Sequence, residues 1–502
     1  MNYTYKKNLI LAFVASFLVT FGGCTNGFDE INTDPNNPAE TSTGFLLTAA
    51  QKVAMDYTWD EWFNGRRGNQ LAQYWASNQY SSESRYQYRE SISNTYWRVF
   101  YANVMSDLQH IIDLNTAEPE KYEGFGHNDN QIAVALIMKV WVAQNITDCW
   151  GPIPYTNALQ GPSSPKPAYD SQEVAYNAMI ADLANARSLI KTDADGPQGD
   201  VIYGGNMDNW NKFCNSLTLR VGMRMADANN DAAKAAVETA IAGGVFTSNA
   251  DNALFTYGEG APNNNPLNED YKTRNDFAAS DVMVNLLIDL NDTTRMKAFY
   301  APTFNSVEND TSIFVGEVYG LTEADAAITT NDEVSQRSAM ILAADFPGIF
   351  MDYAQVEFLL AEAAERGYAG SGSAAAHYEA GITASFDFWG ASGAAEYIAQ
   401  DDVAYASAPG TWREKIGKQK WIALYMQGIQ GWAEWRRLDF GVLKLPDDEN
   451  PEFTTIQGES IPNRMIYPLD EQTLNEASYT DAVTNLLGGP DNLDTKLWWD
   501  VN

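Results

Sequence analysis

The sequence predicts a mainly α-helical protein with long irregular loops and little β structure. Apolar residues recur at helical spacing over most of the chain after about Thr43. No run of alternating polar and apolar residues is long enough for a principal sheet. Polar segments rich in Asn, Gly, Ser and Tyr separate the helical stretches. Helices stacked in consecutive pairs would form an α-solenoid, although a fixed repeat is not visible in the sequence.

The helices are predicted from apolar stripes and start signals. Asp170 with Glu173 resembles a capping box and opens a helix that runs to about Lys191. Two stripes mark further helices, and the second is interpreted as one continuous helix. The first stripe consists of Trp210, Phe213, Leu217, Val221 and Met225. The second stripe consists of Trp421, Leu424, Gly428, Trp432 and Trp435. Other helices are expected near 60–77, 93–115, 130–146, 279–290, 351–368 and 373–388.

Loops and short strands fill the remaining stretches. Short strand pairs are expected near 312–319 and 453–468. Loops of this length are uncommon unless they serve a function, so binding residues are sought there. The loops are expected at 78–92, 194–208, 256–276, 305–338 and 390–411.

The N-terminus carries an export signal. Lys6 and Lys7 precede an apolar run that ends at Phe21, and two glycines then lead to Cys24. The run is too short to span a bilayer, and a basic start with small residues before a cysteine is typical of a bacterial lipoprotein signal. We therefore predict a signal peptide over 1–23, lipidation of Cys24, a tether over 24–42 and one domain over 43–502. The alternative is an ordinary secretory signal with an incidental cysteine.

Charge and cysteine content exclude several functions. The net charge is −34, and it becomes −36 without the signal, which holds two lysines and no acid. Such a charge repels phosphate backbones, so nucleic acid is not an expected partner. After Cys24 only Cys149 and Cys214 remain. Two buried free thiols are favoured over a disulfide between them.

Catalytic and metal motifs are missing from the sequence. It contains no HExxH, GxxxxGK or GxSxG pattern. Asp193 to Gly196 resembles part of a calcium loop, but Lys191 stands where the first carboxylate is needed. Glu357, Glu362 and Glu365 share one helix, for which a solvated or inter-helix-paired face is favoured over catalysis. No cofactor is expected; a structural calcium ion remains open, with ligands that the sequence does not choose.

A binding surface fits the composition better. Aromatic rings cover the apolar face of a sugar, and Asn, Gln and Arg side chains satisfy its hydroxyls. Packing within a helix over 60–77 is favoured for Trp62, Tyr74 and Trp75, whereas Tyr80, Tyr86 and Tyr88 are favoured as exposed platforms. A plain surface loop is the alternative for 263–275. The candidate ligand-binding residues are Trp59, Trp75, Asn78, Tyr80, Arg85, Tyr86, Asn265, Tyr271 and Arg274.

Blocks along the whole mature chain resemble the SusD/RagB-type nutrient-binding outer-membrane lipoproteins, and in particular their second SusD-like subgroup. The blocks follow the lipoprotein signal in the order of that family. They are NTDPNNP (32–38), TDCWGPIPY (147–155), WNKFCNSLTLR (210–220), DYAQVEFLLAEA (352–363), QKWIALY (419–425), GWAEWRR (431–437), RMIYP (464–468) and LWWD (497–500).

This resemblance implies a fold, a location and a role. The fold would be a superhelical scaffold of tetratricopeptide-like helix pairs with loops that carry the ligand site. The protein would be lipid-anchored in the outer membrane and face the cell surface. It would bind an oligosaccharide and pass it to a TonB-dependent SusC-like barrel, without being an enzyme. The alternatives are a peptide-binding member of the same family and a lipid-anchored surface glycoside hydrolase. The shared blocks, including residues 432–437, are expected to be structural.

Overall fold

A computed structural model describes residues 41–308, 311–446 and 460–502 of the protein. Residues 43–502 form one compact unit. The signal peptide, Cys24 and all but the last two residues of the tether lie outside the described residues, so these three assignments remain predictions.

The described chain is mainly helical, with three π-helical segments, Glu61–Asn69, Phe100–Met105 and Ala482–Leu486. The α-helices are Thr43–Trp59, Glu90–Val99, Ser106–Ala117, Pro119–Tyr122, Asn128–Trp150, Gln172–Leu189, Met207–Arg224, Asn230–Gly243, Pro266–Tyr271, Asp281–Asp289, Thr293–Phe299, Phe304–Val307, Glu323–Ala326, Tyr353–Glu365, Ala374–Phe388, Ala394–Ile398, Trp412–Ala423, Gly428–Leu438, Leu469–Leu474 and Glu476–Asp481.

Consecutive long helices pack as pairs. Helix Met207–Arg224 packs against Asn230–Gly243, and helix Tyr353–Glu365 packs against Ala374–Phe388. Helix Asn128–Trp150 lies between Ser106–Ala117 and Gln172–Leu189. The predicted fold class, a mainly α protein built on a tetratricopeptide-like helix-pair scaffold, is confirmed.

Helix boundaries follow from side-chain caps. The Asn206 side chain accepts hydrogen bonds from the amides of Asp208 and Asn209 and starts the helix of the first predicted stripe. At the next helix upstream the prediction is wrong by one residue, because Ser171 rather than Asp170 is the N-cap. The Asp170 carboxylate instead accepts from the amides of Tyr155 and Thr156, at 3.1 and 2.7 Å.

The second predicted stripe does not form one helix. Helix Trp412–Ala423 ends, the chain turns through Met426 at a φ of +72°, and helix Gly428–Leu438 begins. A Cβ atom on Gly428 would lie 2.1 Å from the backbone carbon of Gly68. Because the two backbones approach so closely, only glycine fits at the start of the second helix. The apolar stripe therefore runs from the first helix into the second, across the turn at Met426.

The expected helix over 60–77 is also shorter than predicted. The π-helix Glu61–Asn69 is followed by a turn and by the strand Trp75–Ser77, which pairs antiparallel with Phe277–Ala279. The second strand pair joins Ala253–Phe255 to Gly348–Met351. The strand pair predicted near 312–319 is wrong, because that segment forms only a single bridge from Glu317 to Ser280. Residues 453–459 lie outside the described chain, and the described residues 460–468 form no strand.

A network of buried ion pairs connects the scaffold helices. The Glu434 carboxylate forms salt bridges with the side-chain nitrogens of Arg224, Lys420 and Arg437 at 2.7, 2.9 and 2.6 Å. All four side chains are buried. Arg437 also binds Glu362 at 2.5 Å. All residues of 432–437 except Trp435 are buried, which agrees with the expectation that this block is structural.

The acidic helix 353–365 behaves as expected. Glu362 pairs with Arg437, Glu357 contacts the His377 ring at 2.6 Å, and Glu365 accepts from the Tyr405 hydroxyl at 2.6 Å. Each carboxylate is therefore paired with a side chain from elsewhere in the fold, as the inter-helix interpretation predicts.

One helix in the described residues is long and apolar enough to cross a membrane. This helix, Asn128–Trp150, is almost wholly enclosed by the rest of the protein. Its apolar character is accounted for by its place in the core.

Cys149 and Cys214 are free and buried, as predicted. Burial raises the pKa of both thiols, that of Cys214 to about 12, so neither forms the reactive thiolate near neutral pH. We expect the native protein to resist a thiol reagent such as Ellman's reagent. After unfolding in guanidinium, two thiols should react if the Cys24 sulfur carries lipid and three if it does not. Rapid labelling of the native protein would contradict the buried placement.

Candidate functional site

Three exposed aromatic rings each lie against an arginine. Trp62, Tyr80 and Tyr271 are 41%, 50% and 40% exposed. Their ring centroids lie 4.8, 4.9 and 5.4 Å from the guanidinium carbons of Arg66, Arg274 and Arg337, in that order. A cation over a ring is attracted to its electron-rich face, which fixes the ring's orientation. We call Trp62, Tyr80 and Tyr271 the ring surface.

Trp62 is placed by the π-helix Glu61–Asn69. The Asp60 side chain caps this helix by accepting from the Phe63 amide at 2.7 Å. Phe63 turns into the core, whereas Trp62 faces outward above the buried Arg66. The Arg89 guanidinium carbon also lies 5.5 Å from the Trp62 ring.

Tyr80 is held by a loop with a left-handed backbone. Its φ is +54°, a conformation that non-glycine residues adopt only where neighbouring contacts stabilise it. The Glu323 carboxylate supplies those contacts by accepting from the amides of Tyr80 and Ser81 at 2.8 and 2.7 Å. These two hydrogen bonds therefore stabilise the backbone conformation that exposes the Tyr80 ring to solvent.

One carboxylate connects the supports of two rings. Asp276 accepts from Arg66, beneath Trp62, at 2.8 Å and from Arg274, beneath Tyr80, at 2.6 Å. Arg66 is itself buried and also donates to Glu61 at 2.9 Å. A site held in place before binding loses less entropy when the ligand arrives, so this network favours binding.

An open cleft of about 540 Å³ lies beside Trp62. One wall is formed by the end of helix Thr43–Trp59 and the start of the π-helix, and the other by residues 261–270. The lining residues are Lys52, Asp56, Tyr57, Asp60, Glu61, Trp62, Ala261, Pro262, Asn264, Pro266, Glu269 and Asp270. The cleft therefore offers one exposed indole ring and many hydrogen-bond acceptors.

Glu61 and Asp270 form a hydrogen-bonded carboxyl pair across this cleft. Burial, together with the hydrogen bond to Glu61, raises the pKa of Asp270 to about 8. Burial opposes ionisation of Glu61, but the proton of Asp270 and the Arg66 guanidinium together lower the Glu61 pKa. At neutral pH Asp270 is accordingly the protonated partner and donates to the Glu61 carboxylate.

The Asp270 proton predicts a pH dependence of stability. Folded Asp270 keeps its proton up to about pH 8, whereas the unfolded chain loses this proton near pH 4. The contribution of Asp270 to the free energy of unfolding therefore falls as pH rises between those two values. Asp270→Asn cannot titrate, yet it still donates to Glu61. We expect guanidinium denaturation to show a flatter pH profile for the variant between pH 5 and pH 8.5. Asp289→Asn, at an exposed position, is the control. If the free energy of unfolding changed equally with pH in the wild type, Asp270→Asn and Asp289→Asn, the proton shared by Glu61 and Asp270 would be contradicted.

The structure exposes three of the predicted ligand-binding residues. Tyr80 and Tyr271 belong to the ring surface, and the Arg274 side chain is 43% exposed between Tyr80 and Asp276. These three residues are therefore placed where a ligand can reach them.

The other six predicted residues are buried and make contacts within the fold. Trp59 stacks on Phe346, and the Trp75 indole N–H donates to the Tyr425 hydroxyl at 3.0 Å. Asn265 caps helix Pro266–Tyr271 and donates to the Phe346 carbonyl at 2.8 Å. Asn78, Arg85 and Tyr86 are also enclosed; Asn78 donates to Asn331, and the Gln73 amide donates to the Tyr86 hydroxyl at 2.9 Å.

Two expectations about individual rings are reversed. Tyr86 was favoured as an exposed platform, but it is 1% exposed. Trp62 was favoured as a packed residue, yet it is one of the most exposed rings in the described chain. Local spacing does not reveal the exposure of Trp62, because it lies three residues after Trp59 and seven after Met55, which is also the spacing of a buried helical stripe.

A second groove, of about 490 Å³, lies where residues 94–106 meet the 154–167 and 468–474 segments. Its aromatic residues are Trp97, which is buried, and Tyr101, whose hydroxyl donates to the Pro154 carbonyl at 2.7 Å. Because neither ring presents an open face comparable to Trp62, this groove is less suited to stacking. Among the described residues, no group of three or more His, Cys, Asp or Glu side chains is arranged to hold a metal ion.

Fold and site together define a helix-pair protein with an exposed aromatic surface. The SusD-like family model described as "Starch-binding associating with outer membrane" matches residues 35–468, and the chain belongs to this family. No curated protein matches the chain.

Solved structures with the same fold cover nearly the whole chain. A chitin-binding protein is 27% identical with a TM-score of 0.79, over 92% of this chain and 100% of that one. A chitin-binding SusD homologue from Flavobacterium johnsoniae is 27% identical with a TM-score of 0.78, over 91% and 98%. A SusD homologue from Bacteroides uniformis is 26% identical with a TM-score of 0.78, over 92% and 100%.

Proposed function

We propose that this protein is a cell-surface lipoprotein that binds an oligosaccharide at the ring surface and passes it to a TonB-dependent SusC-like barrel. Lipid on Cys24 would hold it in the outer membrane, facing outward. The family description, which associates its members with the outer membrane, supports the location. The lipoprotein signal before Cys24 supports the anchor.

The observation that carries the proposal is the ring surface itself. Sugar rings have an apolar C–H face that packs on flat aromatics and hydroxyls that need hydrogen-bond partners. Trp62, Tyr80 and Tyr271 offer three aromatic rings, and the carboxylates and Asn264 beside them offer polar partners. An exposed surface with an adjoining cleft, rather than an enclosed cavity, also suits capture followed by release.

Chitin oligosaccharides are the first ligands to test. Two of the solved relatives, each 27% identical to this chain, carry the description chitin-binding. The acetamido N–H of an N-acetylglucosamine unit is a donor, and the cleft beside Trp62 is lined by carboxylate acceptors such as Glu61 and Glu269. Starch oligosaccharides are the second class, because the family description names starch.

Capture without cleavage fits the carboxyl geometry of the cleft. Glycoside hydrolases hold their two carboxyl groups about 5–5.5 Å apart when retaining and about 6.5–9.5 Å apart when inverting. Glu61 and Asp270 share a proton with each other, and Glu61 is also paired with the buried Arg66 at 2.9 Å. This supports a binding role over hydrolysis for this pair of carboxyls.

Calorimetry with a panel of chitin, starch and other oligosaccharides, together with peptides, tests the proposal. We expect binding to at least one glycan class, with the recovered glycan unchanged in mass. Released products would show a hydrolase, and binding to peptides alone would show a peptide-binding protein. Cys24→Ala is expected to move the protein from the membrane fraction to the soluble fraction. Membrane retention of that variant would contradict the proposed anchor.

A further inference from the structure

The described residues of 304–308 and 311–328 expose a group of apolar side chains beside the candidate site. Ile328 is 75% exposed, more than any other large apolar residue in the described chain. Soluble proteins rarely expose many large apolar side chains together unless a partner covers them. The group, which we call the apolar patch, consists of Phe304, Val307, Ile313, Val315 and Ile328.

Backbone hydrogen bonds bring the members of the patch together. The Thr303 amide donates to the Ile313 carbonyl at 2.9 Å, which sets Ile313 next to the turn that carries Phe304 and Val307. The Asn305 amide donates to the carbonyl of Asp332, four residues after Ile328, at 3.3 Å. The Ser335 amide also donates to the Val315 carbonyl at 2.7 Å, so the two parts of the chain that carry these residues, 303–315 and 328–335, run beside each other.

The charge around the patch has one sign. Residues 304–336 contain no lysine, arginine or histidine. An apolar surface bordered by carboxylates is complementary to an apolar surface bordered by lysines or arginines. A second copy of this chain, at −36, and an anionic lipid surface would both be repelled. The exposed acids in the described part of this range are Glu308, Glu323, Asp325, Asp332 and Glu333.

The same segment supports the ring surface. Glu323 accepts from the amides of Tyr80 and Ser81, and Asn331 accepts from the Asn78 side chain. Both residues lie within a few positions of Ile328. A partner seated on the apolar patch would consequently stand beside a ligand bound at Tyr80.

We propose that the apolar patch docks a protein partner whose contact surface combines apolar side chains with lysines or arginines. This inference rests on the proposed function, under which the partner is the transporter barrel that receives the ligand. It adds the location of the contact on this chain and the chemistry of the partner's surface.

Co-purification with the barrel tests the inference. The tagged full-length protein is produced together with a SusC-like TonB-dependent barrel from the same genome and purified in detergent. Ile313→Asp combined with Ile328→Asp places two charges in the patch, and we expect at least about a tenfold loss of recovered barrel. Val174→Asp combined with Leu474→Asp, at exposed apolar positions on other helices, is expected to retain it. Recovery with the wild type is expected to fall as salt rises, because salt screens the complementary charges.

The outcomes separate failure of the patch from failure of the proposed function. Equal recovery with the patch variant and the control would overturn the patch as the docking surface, whatever the glycan results. No barrel recovered with the wild type would overturn both the patch and the transfer step, while glycan calorimetry would still report on capture. Two other results would also overturn the assignment of a basic protein partner. One is that the wild type forms a dimer and the patch variant does not. The other is that the wild type sediments with anionic vesicles and the patch variant does not. Unchanged melting temperature and glycan affinity in the patch variant are required to show that it folds and keeps its ligand site.

Discussion

Replacing Trp62 by alanine is expected to weaken oligosaccharide binding at least about tenfold, which corresponds to about 1.4 kcal/mol. The indole is the exposed ring at the edge of the cleft, and its loss removes apolar contact area that a sugar face would cover. Because the ring is 41% exposed and lies outside the core, the melting temperature should change little. Calorimetry with the best glycan from the panel measures the first effect, and thermal unfolding measures the second.

Trp412 provides a matched control for this experiment. It is also a partly exposed tryptophan with an arginine over its ring, Arg413 at 4.8 Å, but it belongs to helix Trp412–Ala423 and not to the ring surface. Trp412→Ala should bind the glycan as the wild type does. Equal affinity of the wild type and Trp62→Ala would remove Trp62 from the site, and an equal loss in both variants would show a general effect on the fold.

Glu434→Gln is expected to lower the free energy of unfolding by about 3–5 kcal/mol. The substitution keeps the shape of the side chain but leaves Arg224, Lys420 and Arg437 buried without the carboxylate that receives all three. Guanidinium denaturation of the variant and of Glu476→Gln, at an exposed position, provides the comparison. A variant as stable as the control would show that the buried network contributes nothing to stability.

The same carboxylate predicts acid sensitivity. Burial opposes its ionisation, but Arg437, Lys420 and Arg224 hold the pKa of Glu434 well below its usual range. Since the folded protein binds this proton less readily than the unfolded chain does, the contribution of Glu434 is present above about pH 4.5 and is lost as pH falls further. Glu434→Gln should therefore unfold with less acid dependence than the wild type.

The sequence predicts the helices well because the apolar stripes record which faces are buried. The stripe from Trp210 to Met225 forms one capped helix, as its spacing indicates. The stripe from Trp421 to Trp435 keeps a helical spacing in the sequence although it spans two helices separated by the turn at Met426. The break depends on the backbone of Gly68, more than 350 positions away, which local spacing does not report.

The candidate site is predicted in part, for a related reason. Tyr80 and Arg274 lie in polar loops, and Tyr271 ends a short helix inside the polar segment 256–276, so polar composition is a fair guide to exposure. Trp75 and Asn265 are buried by contacts with Tyr425 and Phe346, which are distant in sequence. Tyr86 is likewise buried, against Gln73 and the distant Tyr319. Tyr86→Ala is therefore expected to destabilise the fold, whereas Tyr80→Ala should affect only ligand binding.

A crystal structure of the protein with the tightest-binding oligosaccharide tests the central claim most directly. The account predicts sugar rings stacked on Trp62 and Tyr80, with hydroxyl or acetamido groups hydrogen-bonded to residues of the adjoining cleft. Oligosaccharide seated in the groove beside Trp97, with Trp62 and Tyr80 untouched, would contradict it.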